Sequence, residues 1–238
     1  MYEQIEAKRC INRSGSYRKK KYRRRKRNRF LILLLAVLLP VICFWRLTNN
    51  VSLSKQGKGM GSNTEIDISD EVTKGEIPLF MQTDKRWGYR TYGGSIMAES
   101  GCGPTCLSMV YCGLTGDDTW NPYRLACEAG KDGYYVEGSG SSWSMMTELA
   151  KKLGLTAFEI RYEEEDIRAE LERGNPIICI MGPGDFTTTG HFIVLSGVKE
   201  DGSIIVRDPN SRENSKKTWE LQRLMSQMRN LWGYQYIL

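Results

Sequence analysis

One stretch limits this chain more than any other. A basic block, Lys19 to Arg29, runs straight into the only long apolar segment, Phe30 to Trp45, with Arg46 behind it. Basic residues flanking an apolar run stay on the cytoplasmic side of a membrane, so the N-terminus is expected inside and everything after Arg46 outside. At ~1.5 Å per residue the run reaches about 24 Å, somewhat short of the hydrocarbon core, which leaves Trp45 and Arg46 to meet the interface. Taken alone, the block and its Tyr22 look like a nucleic-acid patch. Its position argues for membrane topology instead, and no nucleic-acid partner is expected. A secretory signal peptide has the same basic and apolar halves. No Ala-x-Ala pattern follows, however, and Ile42 is too bulky for a lipoprotein cleavage box before Cys43. An uncleaved single-pass anchor over residues 30–46 is therefore favoured.

The charge is segregated in the same way. The chain of 238 residues holds 34 Lys/Arg and 28 Asp/Glu; residues 1–29 contain 13 and 2 of them, which leaves 21 and 26 for the rest. The tail is strongly basic and the remainder mildly acidic. Residues 47–75 are rich in Gly, Ser, Asn and Lys without apolar periodicity, and read as a flexible stalk. Its Gly57, Gly59 and Gly61 neither follow a strand nor open a helix, so phosphate binding is not indicated. Residues 76–238 are enough for one core.

Within that outer region, helices are marked by their ends. Asn121-Pro122 reads as an N-cap and first helical residue, with Trp120 and Leu125 as a staple and Gly130 as the exit. Ser142 opens a second helix with Trp143, Met146, Leu149 and Leu153 on one face and Gly154 as its stop. Residues 163–173 form a short charged helix ending at Gly174, its acidic start favourable to the helix dipole. After Pro176 the pattern changes. Ile177–Met181 and Phe192–Leu195 are short apolar runs of buried strands, and Glu200-Asp-Gly202 turns the chain into a partner strand at 203–206. A helix from Thr218 to Met228 and a strand from Trp232 to Leu238 close the chain. Helices first and an antiparallel sheet after make an α+β layout.

The chemistry concentrates in two places. In Gly101-Cys-Gly-Pro-Thr105, Pro104 suits a first helical turn, and Leu107, Val110, Tyr111 and Leu114 form a helical stripe. Cys102 then stands at a helix N-terminus, where unpaired N–H groups and the macrodipole favour a thiolate. Gly101 and Gly103 are expected to keep side chains clear for an approaching carbonyl. The chain has a single histidine, His191, at the mouth of a predicted strand behind Gly190. Any Cys–His mechanism must use it. Asp208, before Pro209 at the end of the partner strand, is placed to hold its imidazole. The bland alternatives are a buried cysteine at a Gly-Pro turn and a turn-forming Asp.

Gln82 in Phe80-Met-Gln-Thr-Asp-Lys-Arg-Trp87, then Gly101–Thr105, Leu114-Thr-Gly116, Gly190–Leu195 and Asp208-Pro209, resemble in order the C39-like peptidase family. Its members are papain-like domains similar to the bacteriocin-processing peptidases. The resemblance covers roughly residues 77–238. It implies a papain-like fold with a helical part packed on an antiparallel sheet, Cys102 as nucleophile, His191 as general base and Asp208 as its orienter. Gln82 would be the oxyanion-hole side chain, beside the Cys102 backbone N–H. The bacteriocin peptidases are fused to an export ATPase and cut after a double glycine on the cytoplasmic side. With no Walker motif here, neither property is implied.

The expected activity is hydrolysis of a peptide or isopeptide bond in a peptide or protein substrate, with no cofactor or metal. Two alternatives remain: a peptidoglycan amidase or transpeptidase using the same pair, and a non-catalytic peptide-binding or assembly module at the cell surface. Cys102, Cys106, Cys112, Cys127 and Cys179 fall in the outer region, an odd number. Four of them are open to pairing, and Cys106, one turn from Cys102, is either a neighbouring redox partner or a small buried residue. Tyr134, Tyr135, Trp87 and Trp143 are each open to lining a cleft or filling the core.

Overall fold

Cys102 begins a helix because the chain ahead of it has just closed a turn. In this computed structural model, which describes residues 64–237, Gly101 is the N-cap and helix α2 runs Cys102–Thr115, behind a one-turn helix α1 at Met97–Ser100. Gly116 ends α2 in the left-handed conformation, φ 76°, where a side chain would be strained. The apolar stripe proves too narrow a description. Every residue from Gly103 to Gly113 is buried, because α2 lies in the middle of the domain with helices on one side and a sheet on the other. Helix α3, Pro122–Lys131, packs along it; Asn121 caps it by accepting from the N–H groups of Tyr123 and Arg124. The expected exit at Gly130 falls inside α3, and the positive φ belongs to Gly133.

Helix α4 covers Met145–Lys152, later than expected from Ser142, with Gly154 just beyond it in the left-handed region. Trp143 therefore precedes the helix and is 47% exposed instead of facing the core. Helix α5, Glu164–Glu172, follows with Ile167 and Leu171 as its buried pair.

The strands are β1 (Thr91–Tyr92), β2 (Ser95–Ile96), β3 (Tyr135–Val136), β4 (Gly140–Ser141), β5 (Thr156–Glu159), β6 (Ile177–Met181), β7 (His191–Val198), β8 (Ile204–Arg207), β9 (Thr218–Trp219) and β10 (Met228–Gln235). Two small hairpins pair β1 with β2 and β3 with β4; the remaining six form one antiparallel sheet in the order β5-β10-β6-β7-β8-β9. Short helices α6 (Arg212–Lys216) and α7 (Leu221–Met225) flank β9. The single helix expected from Thr218 to Met228 is thus an edge strand followed by one turn and a half of helix. Trp219 fixes it there, donating through Nε1 to the carbonyl of Asn214.

Strand β6 is buried at all five positions because the sheet is covered on both faces. Ile178 and Ile180 join Phe192, Val194, Trp232 and Tyr234 under α2, α3 and α4. Ile177, Cys179 and Met181 face the other way, against Ile167 and Leu171 of α5 and Leu221 and Leu224 of α7. The helical part packs on the sheet as the sequence implied, and a second, thinner layer covers the opposite face.

The segment ahead of the sheet-and-helix body corrects the expected stalk. Ile68 and Ile77 are buried in the α2 core and Ile66 packs against it. Asn121 Nδ2 donates to the carbonyls of Thr64 and Ile66, and the Gly75 N–H donates to Gly113 O. Residues 64–75 therefore belong to the domain. Their apolar positions are spaced at two residues amid charge, which masked them as linker. The basic tail at 1–29, the anchor at 30–46 and residues 47–63 lie outside the described residues. Among the described residues no helix is long and apolar enough to cross a membrane.

Candidate active site

The start of α2 and the start of β7 meet at one end of the sheet. Register places His191 opposite Met181, and Val194 opposite Arg207, so Asp208, one residue past β8, lies at the same end as the histidine. His191 Nε2 and Asp208 Oδ1 are 2.7 Å apart. Both side chains are buried, Asp208 to 1% exposure. The carboxylate is itself held. Oδ1 also accepts from the Asn210 N–H at 2.8 Å and Oδ2 from Asn214 Nδ2 at 2.9 Å, while the Asp208 N–H donates to Ser215 Oγ. With Nε2 occupied by Asp208, Nδ1 is the imidazole nitrogen left for Cys102.

Burial of the Cys102 thiol would raise its pKa. The hydrogen bond and charge of His191 outweigh that, helped by the N–H groups of Phe192 and Gly103, and the net shift is downward. His191 mirrors it. Burial opposes its charged form, but Asp208 and the Cys102 thiolate together raise its pKa to about 9. The arrangement favours a thiolate–imidazolium pair. The other four described thiols go the opposite way: burial pushes Cys106, Cys112, Cys127 and Cys179 all upward.

All five are free thiols, and geometry keeps Cys106 from two of the others. Cys106 and Cys112 are six residues apart on one helix, about 9 Å along its axis. Cys179 faces the layer on the far side of the sheet from Cys106.

A cleft of about 590 Å³ opens over Cys102 and His191; Glu99, Tyr135, Gly140, Trp143 and Arg229 are among its walls. Of the aromatics left open by sequence, Tyr135 and Trp143 line it, whereas Trp87 is fully buried in the core and Tyr134 bonds Glu148. Gly101 and Gly103 serve packing instead of substrate access. A Cβ on Gly101 would stand 2.5 Å from Met97 O, and one on Gly103 2.7 Å from Ser141 Oγ. Gly103 lets β4 close against α2, where Ser141 Oγ is 2.7 Å from the Tyr92 hydroxyl.

Gln82 is buried close by but does not line the cleft. Its Nε2 donates to Ala98 O at 2.8 Å and its backbone N–H to Pro209 O at 2.8 Å. It thus ties the segment leading to Cys102 to the loop carrying Asp208. Its Oε1 is buried without a hydrogen-bond partner among the described residues. Asn214 and Ser215 escaped sequence reasoning because the loop after Asp208-Pro209 has no periodicity to mark them. Phe192 escaped it because its contribution is a backbone N–H.

The site is thus a thiol drawn down by a histidine that a buried carboxylate orients, in this chain order. The model of the Peptidase_C39 like family matches residues 74–236. The chain belongs to that family. It is similar to the peptidase domain of Streptococcus ComA, a bi-functional ABC transporter involved in a quorum-sensing pathway, at 21% identity and a TM-score of 0.43, covering 58% of this chain and 93% of that one. It is likewise similar to a double glycine motif protease from an AMS/PCAT transporter in complex with the leader peptide, at 21% identity and a TM-score of 0.41, covering 70% and 97%. No curated protein matches the C39-like chain.

Proposed function

We propose that the chain is a membrane-anchored, extracytoplasmic cysteine peptidase that hydrolyses a peptide or isopeptide bond through a thioester at Cys102. The observation that carries the reading is that Cys102, alone among the described thiols, is shifted downward, and that the group responsible is a histidine held by a buried aspartate. The Cys102 thiolate attacks the carbonyl carbon, forming the S–C bond. The oxyanion is met by the Cys102 backbone N–H, and Gln82 becomes the second donor once its amide turns from Ala98 O into the cleft. His191 delivers its Nδ1 proton to the leaving amine as the C–N bond breaks. It then takes a proton from water, whose oxygen attacks the thioester; the S–C bond breaks and frees the Cys102 thiolate and a carboxylic acid. Anchoring and outward placement rest on the basic block and apolar run at residues 19–46.

The test of the pair needs no substrate. Alkylation of Cys102 in the reduced full chain, followed against pH by peptide mass spectrometry, is expected to persist well below the ordinary thiol value of ~8.5. His191→Ala is expected to abolish that low-pH reactivity. Identical curves rising near the ordinary value in both proteins would sink the proposal and favour a binding module. For the anchor, the chain is expected to stay with membranes through an alkaline wash, with its outer domain open to protease added to intact cells. Release by the wash would remove the anchor.

A further inference from the structure

Arg229 is the one arginine among the described residues that lines the cleft over Cys102. Arg86, Arg161, Arg168, Arg173 and Arg223 each hold a carboxylate. Among the described residues Arg229 forms no hydrogen bond or ion pair, and its charge faces the cleft over Cys102. Two features of the backbone put it there. The pairing of β10 with β6 passes from Met228↔Met181 to Asn230↔Ile180, so Arg229 is the unpaired residue of a β-bulge, a device that re-aims one side chain out of the ladder. Its guanidinium then lies over Gly182, whose missing side chain makes the space: a Cβ there would stand 2.7 Å from Arg229 Nε. The cleft also carries a carboxylate, Glu99, which accepts from Ser95 Oγ and leads into the turn before Cys102.

We propose that Arg229 is a specificity-determining residue that selects substrates carrying a carboxylate near the scissile bond. This deepens the peptidase reading and rests on it. A planar guanidinium without an internal anion is suited to a bidentate grip on a carboxylate. Its distance from the chemistry follows from the sheet. Strands β10 and β7 are separated by β6, so Arg229 and His191 stand about two strand spacings, or roughly 10 Å, apart. That is about three residues of extended chain. The carboxylate is either an acidic side chain two or three residues from the cleaved bond or the substrate's own C-terminus. Glu99 repels the same group elsewhere in the cleft and so fixes the direction in which the substrate lies.

The experiment labels Cys102 in the reduced full chain with two sets of peptide electrophiles, bromoacetyl-capped peptides and peptidyl chloromethyl ketones. These extend from the sulfur in opposite chain directions. Each set carries Glu, Gln or Lys at the second or third residue, and the bromoacetyl set is made with a free or an amidated C-terminus. In one direction the Glu peptide is expected to label roughly tenfold faster than its Gln twin, the scale of a charge-assisted hydrogen bond. A preference that follows the free terminus instead of Glu assigns the carboxylate to a chain end. The preference is expected to vanish in Arg229→Gln and to reverse toward Lys peptides in Arg229→Glu. Equal rates for Glu and Gln and for free and amidated ends in the wild type would overturn the proposal. So would the same preference in both variants. Equal rates are also what results if Arg229 turns to Glu163 or Glu165 of the adjoining groove. Failure of the peptidase reading is a separate result: labelling by every peptide at the rate of a simple thiol, unaffected by His191→Ala.

Discussion

At the scale of single residues, the site is a set of dependencies that run outward from Cys102. His191 sets the thiol, Asp208 sets His191, and Asn210, Asn214 and Ser215 set Asp208. Asp208→Ala is expected to lower kcat/KM by on the order of 10²-fold or more. Asn214→Ala, acting one step further out, should cost about tenfold or less, mostly in kcat; equal losses in the two variants would break this ordering. The pH profile has a definite sign. Activity should rise through the lowered Cys102 pKa and fall near pH 9 as His191 loses the proton owed to the leaving amine. The limbs belong to the pair together. A profile still climbing above pH 10 would contradict the raised histidine. Gly103→Ala should destabilise the fold by about 1–3 kcal/mol through overpacking against Ser141 and Met145, read as a loss in thermal midpoint. The sequence exposed the nucleophile, the lone histidine and the Asp-Pro step because residue type and local turn chemistry mark them. It could not show that the glycines beside Cys102 face inward, or that Gln82 already holds a carbonyl, since both depend on partners distant in sequence.

Elements were legible where their ends carry chemistry and illegible where only tertiary contacts define them. Asn121-Pro122 announced α3, and Gly154 and Gly174 closed α4 and α5 with left-handed backbones. The runs Ile177–Met181 and Phe192–Leu195 are strands because both faces of the sheet are covered. Strand β5, with no fully buried position, and the two-residue strands β1 to β4 offered no periodicity to detect. The segment at residues 64–75 misled for the same reason. Its place in the core gives a direct test: Ile68→Ala should destabilise the protein by about 2–5 kcal/mol, and a chain beginning at residue 69 should melt well below one beginning at 64. Equal midpoints would return the segment to the tether.

For the whole molecule, one consequence follows from where Thr64 and Gly75 are tied. Asn121 holds Thr64 at the start of α3, and Gly113 holds Gly75 near the end of α2. The cleft is built at the other ends of both helices, from Cys102 at the start of α2 and from Tyr135 and Ser141 beyond the end of α3. Each helix is ten or more residues long, so about 15 Å of rod separates entry from mouth. A bulky folded partner fused ahead of Thr64 should therefore leave the labelling rate of Cys102 within about twofold; a large drop would mean the entry lies beside the cleft. The mouth opens away from the point where the chain enters its domain, so whatever reaches Cys102 arrives from the side opposite that entry.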